Sequence, residues 1–516
     1  MMAAANHADR GNFSAAGPQD LPTPPAETER NDQAANFTLL TAIIVLTLVR
    51  FVLAANTGLV DDEAYYRIWT LAPSLSYLDH PPMVAWAIGA GRALAGDNPF
   101  GIRLLAPLLM AAGALLLWRT AFLLYGGVIA RRAVWFMLAM PLLAVGGVIV
   151  TPDLPSVLFG GLTIWALAEL DRSQNARWWL AIGIFAGLGL LSKYTNLFLG
   201  ATILVWLLAT PANTKWFRAP DLWIGGILAL VIASPVAIWN AEHHWVSFTK
   251  QFGRVAHSSS TGGQALLELY GGFAILESPL IALLALIGFI AVVRSAIAKR
   301  TRSDVLVAAS ILPMLLYFTA HALHDRVQGN WPGPLYPSFA ICAAIGVSTL
   351  PVAFRKTAFV TALALGFVIT GALYVHTLRP VFYSAKDPTE QMHGWPALIE
   401  AIEKKREETG TAWIATSSYA TTGQLMFGLR TRSPVAQLDE RIRYEFLPPL
   451  PDETIAKPAL YVELERRVDL PLLRKKFAKI EPVGTLKRDN GSPNGATYVL
   501  FRVSDPIAPP LAMDDK

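Results

Sequence analysis

A long apolar run and an acidic stretch stand close together near the start of the chain: FTLLTAIIVLTLVRFVLAAN at positions 37–56 and DDEAYYR at positions 61–67. The run contains one charge, Arg50, and about 20 apolar residues are enough for a helix to cross the hydrocarbon core of a bilayer. Three consecutive acids would be costly inside that core. The two segments therefore predict a membrane-spanning helix that reaches water close to residue 57.

Similar apolar segments recur along most of the chain, and together they predict a polytopic α-helical membrane protein. Hydrophobic residues make up 53% of the 516 residues and charged residues 16%, whereas soluble proteins carry about 25% charged residues. Several segments are shorter than a full span, so we expect about 11 to 13 transmembrane helices. Besides residues 37–56, the candidate spans are 104–118, 133–150, 154–168, 178–192, 194–210, 222–239, 278–293, 305–320, 334–350 and 357–376.

Composition divides the chain into three parts. Residues 1–36 lack apolar periodicity and contain a Pro-rich stretch, which is typical of a disordered tail. Residues 37–377 form the predicted membrane domain, in which the long polar loop 57–98 follows the first span. Residues 378–516 are rich in charge and contain apolar runs that are typical of strands. We expect this last part to be a small soluble α/β domain.

The distribution of charge predicts the orientation in the membrane. With the N-terminal tail in the cytosol, the inner loops hold thirteen Lys and Arg residues against four acids, whereas loop 57–98 holds five acids against two Arg. Cytoplasmic loops of membrane proteins carry the excess of positive charge. The pattern places loop 57–98 and residues 378–516 on the outer face. It also explains the net charge of +5 without a nucleic-acid partner.

Loop 57–98 contains the main candidate site. Asp62, Glu63 and Tyr66 belong to its first acidic cluster, and Asp79 and His80 precede a Pro-Pro pair in its second. Acids next to a membrane span are expected to face water, a cation or a ligand, and the aromatic neighbours favour a groove at the membrane surface. The alternative interpretation is a solvated loop that only enforces the topology.

Further polar candidates lie at the outer ends of later spans, and each has a structural alternative. An acid there could cap a helix, a lysine could extend its amine to the interface, and aromatic residues could form an interfacial belt. No HExxH or comparable ligand motif accompanies the histidines, so we expect no dedicated metal site. A divalent cation held by the loop acids through waters stays open. These candidates are Asp153, Lys193, His324, Arg326, Trp331 and Tyr336.

Five short motifs between residues 37 and 380 resemble those of the GT-C membrane glycosyltransferases, in the glycosyltransferase 39/83-like group. That group includes the protein O-mannosyltransferases and the lipid A aminoarabinose transferase. The motifs are Asp62-Glu63 with Tyr66, Asp79-His80-Pro81-Pro82, Thr151-Pro152-Asp153, Leu191-Ser192-Lys193-Tyr194, and the stretch NWPGPLYP at positions 330–337.

The resemblance implies a GT-C fold, a polyprenyl-phosphate-linked sugar donor and Asp62 as the catalytic base. Independently of the resemblance, the charge of a leaving phosphate favours contacts with Lys193, His80 and Arg326, and the other candidate residues are expected to position the substrate. His80 stands where the aminoarabinose enzymes have Lys, and Tyr65 where they tend to have Arg. These departures favour other bacterial members that decorate lipopolysaccharide, including galacturonosyltransferases.

The sequence therefore predicts an inverting glycosyltransferase in a bacterial inner membrane. It would move a sugar from polyprenyl phosphate to lipid A, lipopolysaccharide or another cell-envelope acceptor on the periplasmic face, with no required cofactor. Protein O-glycosylation, with a glycoprotein acceptor, is the first alternative. A secondary transporter of a lipid-linked or anionic substrate is the second, although the spans in 133–168 and 194–239 carry charge only at their turns.

Overall fold

The structure, a computed structural model, describes residues 26–253, 263–382, 387–490 and 495–513. Up to residue 378 it is helical, because a membrane-spanning segment must satisfy its backbone hydrogen bonds internally. The helices of this membrane domain are α1 (Ala26–Asn56), α2 (Asp61–Trp69), α3 (Met83–Ala95), α4 (Pro99–Arg103), α5 (Leu105–Tyr125), α6 (Gly127–Ala139), α7 (Pro141–Gly146), α8 (Asp153–Ser173), α9 (Trp178–Leu190), α10 (Phe198–Ala209), α11 (Pro220–Glu242), α12 (Val246–Gly253), α13 (Gly263–Leu276), α14 (Pro279–Ala298), α15 (Arg302–Ala322), α16 (Tyr336–Thr349) and α17 (Val352–Leu378).

The predicted polytopic helical architecture is confirmed. All eleven predicted apolar segments fall on helical structure. Within the described ranges, seven helices are long and apolar enough to cross a membrane alone. The number becomes eight if Tyr194–Ala209 and Pro211–Arg218, which are bent by 115°, form one span. The total of 11 to 13 spans stays a prediction.

The segment predicted as one span at 133–150 contains two helices. α6 ends at Ala139 and α7 begins at Pro141, because proline lacks the N–H that a continuing helix needs and clashes with the preceding turn. α6 also begins earlier than predicted, at Gly127, so its first turns carry Arg131 and Arg132.

α1 begins before the predicted end of the disordered tail. The prediction for residues 1–36 is corrected over 26–36, which are helical, because a nucleated helix extends at little cost. Asp32 on this extension pairs with Arg131 of α6 at 2.7 Å. Residues 1–25 lie outside the described part of the chain.

The loop that follows the first span, 57–98, is folded. It contains α2 and α3, and the three acids Asp61, Asp62 and Glu63 form the first turn of α2. Negative charge is favourable at this end of a helix because the backbone dipole is positive there. The acidic cluster is therefore a helix start with fixed side-chain directions.

The C-terminal domain is the predicted small α/β unit. Among its described residues, a five-stranded sheet has the strand order Val435–Gln437 (β2), Trp413–Thr416 (β1), Ala459–Leu464 (β3), Ala496–Pro506 (β5) and Phe477–Arg488 (β4). β1 runs parallel to β2 and β3, and β5 runs antiparallel to β3 and β4. Apolar clusters cover both faces of the sheet. The elements are α18 (Trp395–Glu408), β1 (Trp413–Thr416), α19 (Tyr419–Leu429), β2 (Val435–Gln437), α20 (Asp452–Ile455), β3 (Ala459–Leu464), α21 (Leu470–Lys476), β4 (Phe477–Arg488) and β5 (Ala496–Pro506).

The C-terminal domain packs on the membrane domain through α19 and α2. The Gln424 amide donates to the Leu59 carbonyl at 3.0 Å and to the Asp61 carboxylate at 3.2 Å. At Gly423, a Cβ atom would lie 2.9 Å from the backbone nitrogen of Tyr65. A glycine is therefore required where the two helices meet, and the contact lies at the first acidic cluster.

Candidate active site

A cavity of about 490 Å³ lies between the membrane domain and the C-terminal domain. Its walls come from α2, the segment after it, the α9–α10 connection, α12, α15 and two segments of the C-terminal domain. The charged, aromatic and histidine side chains that line it include Asp62, Tyr65, Tyr66, Asp79, His80, Lys193, Lys250, His321, Trp331, Tyr419 and Arg443.

Asp62, in the first turn of α2, lines this cavity and is partly buried. The Tyr419 hydroxyl, at the start of α19, donates to its Oδ1 at 3.2 Å. Burial raises the pKa of Asp62 to about 6, although the Tyr419 hydrogen bond lowers it. The negative charges of Asp61, Asp79 and Asp153 add to the upward shift. At neutral pH Asp62 is ionised and still basic enough to accept a proton, which suits a general base.

Asp79 has the opposite electrostatic surroundings. It accepts a hydrogen bond from the Tyr65 hydroxyl at 2.9 Å and one from Arg443, and the Lys250 ammonium lies 3.0 Å from its Oδ1. Burial would raise the pKa of Asp79, but Arg443 and Lys250 hold it below its usual range. One carboxylate in the cavity is therefore fixed as an anion while the other can exchange a proton.

Lys193 brings a positive charge to the membrane side of the cavity. It follows α9, is buried, and forms an ion pair with Asp153 at the start of α8. The Asn330 amide donates to the other Asp153 oxygen at 2.8 Å. Asp153 thus positions the lysine, and the ammonium is held where it can contact an anionic group in the cavity.

Aromatic and histidine rings complete the lining. Tyr66 is buried with its ring centroid 4.8 Å from that of Trp69 and 6.0 Å from that of His80. Trp331 also lines the cavity, and its ring centroid lies 6.0 Å from that of His321. The sequence candidates that the structure brings together at the cavity are thus Asp62, Tyr66, Asp79, His80, Lys193 and Trp331, with Asp153 behind Lys193.

Glu63 was expected to contact substrate, but the structure places it away from the cavity. Its carboxylate is fully buried in a two-point ion pair with Arg103 and also accepts the Val150 N–H at 2.9 Å. All of these contacts link α2 to neighbouring segments of the membrane domain. The substrate-binding role is corrected to a structural one because no face of the carboxylate is left for a ligand.

Three further candidates also lie outside the cavity lining. Tyr336 is fully buried, with its ring packed near Phe273 and Phe339. His324 is exposed, and its Nδ1 lies 3.0 Å from the Ala320 carbonyl. Arg326 is 69% exposed and pairs with Glu268 at 2.6 Å. Substrate contacts at these three positions stay predictions, because packing surrounds Tyr336 and the other two side chains face solvent outside the cavity. His321, one turn before His324, lines the cavity instead.

Sequence reasoning missed Tyr419, Arg443 and Lys250. Tyr419 follows β1, and its signal was present: ligands commonly contact the carboxyl ends of parallel strands, and Ser418 caps the following helix. Arg443 lies in a short 3-10 turn, and Lys250 in a short helix. No local pattern distinguishes these two cations from surface charges. Their role depends on how the domains pack.

Among the described residues, no group of three or more His, Cys, Asp or Glu side chains is placed to hold a metal ion. Asp62 and Asp79 are both in the cavity, but Asp79 already has two cationic neighbours. The cavity therefore offers one carboxylate for proton transfer and cations for an anionic substrate group.

Comparison with known proteins supports a membrane glycosyltransferase architecture. Residues 79–239 match the family described as dolichyl-phosphate-mannose-protein mannosyltransferase. The lipid A galacturonosyltransferase RgtD of Rhizobium johnstonii is 30% identical over 285 residues, which cover 55% of this chain and 59% of that protein. The chain thus matches about three fifths of the length of this curated relative.

Two solved structures share the fold over most of the chain. ArnT from Cupriavidus metallidurans, bound to undecaprenyl phosphate, matches with a TM-score of 0.63 and 16% identity, covering 89% of this chain and 97% of ArnT. The apo oligosaccharyltransferase of Archaeoglobus fulgidus matches with a TM-score of 0.51 and 11% identity, covering 89% and 74%. The fold implied by the sequence motifs is confirmed: this chain has the architecture of the GT-C membrane glycosyltransferases.

Proposed function

We propose that this chain is an inverting glycosyltransferase that moves a sugar from a polyprenyl-phosphate donor to lipid A or lipopolysaccharide at the outer face of a bacterial inner membrane. The observation that carries the proposal is the cavity at the boundary of the membrane domain, where Asp62 and Lys193 line one space. The name of the galacturonosyltransferase relative and the undecaprenyl phosphate bound by ArnT support the substrate classes.

Asp62 is the base in the proposed reaction. The acceptor hydroxyl loses its proton to the Asp62 carboxylate as its oxygen bonds to the anomeric carbon of the donor sugar. The bond from that carbon to the phosphate oxygen breaks on the opposite face, and its electron pair leaves with polyprenyl phosphate. Attack opposite the leaving group inverts the anomeric configuration.

Lys193 stabilises the leaving phosphate. Polyprenyl phosphate departs as an anion, so the reaction needs no general acid, and a fixed cation lowers the energy of the charge that develops. The contacts of Lys193 with Asp153, and of Asp153 with Asn330, hold that cation in place. His80, on the same cavity lining, is a second phosphate contact when protonated.

A uronic acid is the proposed sugar. The relative's name supports this choice, and so do the two departures from the aminoarabinose pattern at His80 and Tyr65. The Tyr65 hydroxyl donates to Asp79, and Arg443 and Lys250 lie beside the same carboxylate. Two cations are therefore close to the part of the cavity that the C-terminal domain lines.

The proposed reaction requires no cofactor, so we expect full activity after treatment with a metal chelator. If activity were lost and added Mg²⁺ or Mn²⁺ restored it, a divalent cation would take part in the reaction.

Protein O-glycosylation is the second candidate function. The family that matches residues 79–239 is described as acting on protein, so a glycoprotein acceptor has a specific observation in its favour. A transporter has no comparable support, because the matching family and the curated relative are both described as transferases.

The test is mass spectrometry of lipid A and lipopolysaccharide from a strain that lacks this chain, restored with wild type, Asp62→Asn or Asp452→Asn. Asp452 is an exposed acid of the C-terminal domain and serves as the matched control. We expect one sugar mass, a uronic acid, to disappear in the deletion strain and to return with wild type and the control only. Return of the sugar in the strain that carries Asp62→Asn would show that Asp62 is not the catalytic base. Unchanged glycolipids with altered glycoproteins would favour the second function.

A further inference from the structure

A second cavity, of about 580 Å³, lies at the opposite end of the membrane helices from the active-site cavity. α1 and α17 lead at their C-terminal ends to loop 57–98 and to the C-terminal domain, whereas this cavity is lined by residues near their N-terminal ends and near the start of α6. α17 has 27 residues and is about 40 Å long at 1.5 Å per residue. The two cavities therefore open at opposite faces of the membrane domain.

Four cations line this basic cavity: Arg131 and Arg132 from α6, and Arg355 and Lys356 from α17. They come from segments more than 200 positions apart, so the fold, and not a local run of basic residues, brings them together. Like charges held in one cavity repel each other. An anion among them would remove that repulsion.

The contacts that Arg132 and Arg355 make are with neutral groups. Arg132 donates to the Ser348 hydroxyl at 3.0 Å, and its guanidinium lies 5.9 Å from the centre of the Phe359 ring. Arg355 donates to the Leu350 carbonyl at 2.9 Å. Among the described residues, the carboxylate that pairs with this group is Asp32, which lies against Arg131 and is 56% exposed. The group keeps an excess of positive charge at a protein surface.

Helix ends add to the same preference. Val128 and Val352, in the first turns of α6 and α17, line the cavity, and neither helix has a side-chain cap at its start. The first N–H groups of a helix and its dipole favour an anion. The helix starts alone would not define a site; here they coincide with four basic side chains and a cavity.

The remaining walls are apolar. Trp135 and Phe359 line the cavity together with Val128 and Val352, and both valines are exposed at the surface of the membrane domain. A free phosphate would leave these walls in contact with water. An amphiphile with a negatively charged head and hydrocarbon chains matches both the basic and the apolar parts, and basic pockets between membrane helices recognise acidic lipid head groups.

We propose that the basic cavity binds the phosphate head group of an anionic phospholipid, with the acyl chains lying against the exposed apolar residues. The four cations hold the phosphate, and Arg132, fixed by Ser348 and Phe359, is the inner contact. The lipid connects the starts of α6 and α17. The proposal does not depend on glycosyl transfer, because it concerns the other face of the membrane domain.

The experiment measures lipid binding to the purified full chain, in the absence of any sugar donor. Short-chain phosphatidylglycerol is titrated and followed by native mass spectrometry, with short-chain phosphatidylcholine and glycerol phosphate as comparison probes. The test variant combines Arg132→Gln with Arg355→Gln. The control combines Lys299→Gln with Arg300→Gln, which removes the same charge from two exposed side chains of the α14–α15 connection.

We expect saturable binding of phosphatidylglycerol that is tighter than binding of phosphatidylcholine, a loss of about 30-fold in affinity in the test variant, and wild-type affinity in the control. Arg132→Lys with Arg355→Lys, which keeps the charge, should retain most of the affinity and so exclude misfolding. Equal losses in the test and control variants, or equal binding of both lipids, would overturn the proposal. Equal affinity for glycerol phosphate would also overturn it, by assigning the cavity to a soluble anion.

Discussion

The two carboxylates of the active-site cavity differ because of the residues around them. Asp62 has a tyrosine hydroxyl as its hydrogen-bond donor, whereas Asp79 has two cations. A group near pKa 6 can take a proton during a reaction at neutral pH, and a group with a lowered pKa cannot. The cavity therefore contains one carboxylate that can exchange a proton near neutral pH and one that is held as an anion.

The rate of sugar transfer should depend on pH through Asp62. With a pKa of about 6, the carboxylate is protonated and inactive in acid, so kcat should rise as pH increases through about 6 and then level off. Asp62→Asn should lower kcat by about 100- to 10,000-fold while donor binding is kept. Both are measured with purified enzyme and a labelled donor. A flat pH profile, or a full loss of donor binding in Asp62→Asn, would contradict the assignment.

Tyr419→Phe tests the hydrogen bond that holds the base. Its hydroxyl lowers the pKa of Asp62, so its removal should move the acidic limb of the pH profile to higher pH and leave the plateau close to wild type. Tyr461→Phe is the matched control, since that hydroxyl bonds Ser417 inside the C-terminal domain at 2.6 Å. An equal displacement of the pH profiles of both variants would mean that the shift does not come from the Tyr419–Asp62 hydrogen bond.

At the scale of elements, α2 is fixed at both of its sides. The buried Glu63–Arg103 pair attaches it to the membrane domain, and Arg103 also donates to the Thr57 hydroxyl at 2.7 Å and to the Gly58 carbonyl at 2.7 Å. On the other side, α19 packs on α2 with Gly423 at the contact. The position of Asp62 therefore depends on two interfaces that contain no substrate.

Glu63→Gln should destabilise the protein by about 3–5 kcal/mol, because it leaves the buried Arg103 without a counter-charge. The measurement is thermal unfolding in detergent, with Glu453→Gln, an exposed position in α20, as the control. Replacing Arg103 by Met in the same chain should recover part of the loss. Unfolding of Glu63→Gln at the wild-type temperature would show that the pair contributes little.

Gly423→Ala should separate α19 from α2. The added methyl group would meet backbone atoms of Ala64 and Tyr65, which cannot rotate away as a side chain can. We expect lower activity together with faster proteolysis between the two domains. Gly271→Ala, where nothing lies within 4 Å, should behave like wild type, and normal activity in Gly423→Ala would show that the domain contact is not needed.

At the scale of the whole molecule, local patterns predicted the helices, and only packing determined the complete site. Apolar runs located the spans and the strands β3 and β5, because these signals are contained in neighbouring residues. Asp62 and Lys193 could be found next to such spans. Arg443 and Lys250 could not be assigned to the site, since the contact between distant domains has no local signature, and the strand-end signal at Tyr419 does not identify the surface that it contacts. Glu63 was assigned to substrate because its sequence neighbours are acidic, although its fold neighbour is Arg103.

The orientation of the molecule in the membrane can be tested by labelling single cysteines introduced on either side. Cys342 is fully buried and should not react with a membrane-impermeant maleimide. We expect Glu453→Cys to be labelled in intact cells stripped of their outer membrane, and Lys299→Cys to be labelled only after the inner membrane is opened. The reverse order would place the active-site cavity on the cytosolic face.

The C-terminal domain supplies part of the cavity wall, so the cavity is completed late in biosynthesis. Tyr419 and Arg443 leave the ribosome after the described helices α1 to α17 have been made. A partly synthesised chain already contains Asp62 but lacks both the hydroxyl that holds it and Arg443, one of the two cations beside Asp79. We therefore expect sugar transfer to begin only once the C-terminal domain has folded, which requires synthesis of β5 because β5 lies between β3 and β4 in the sheet.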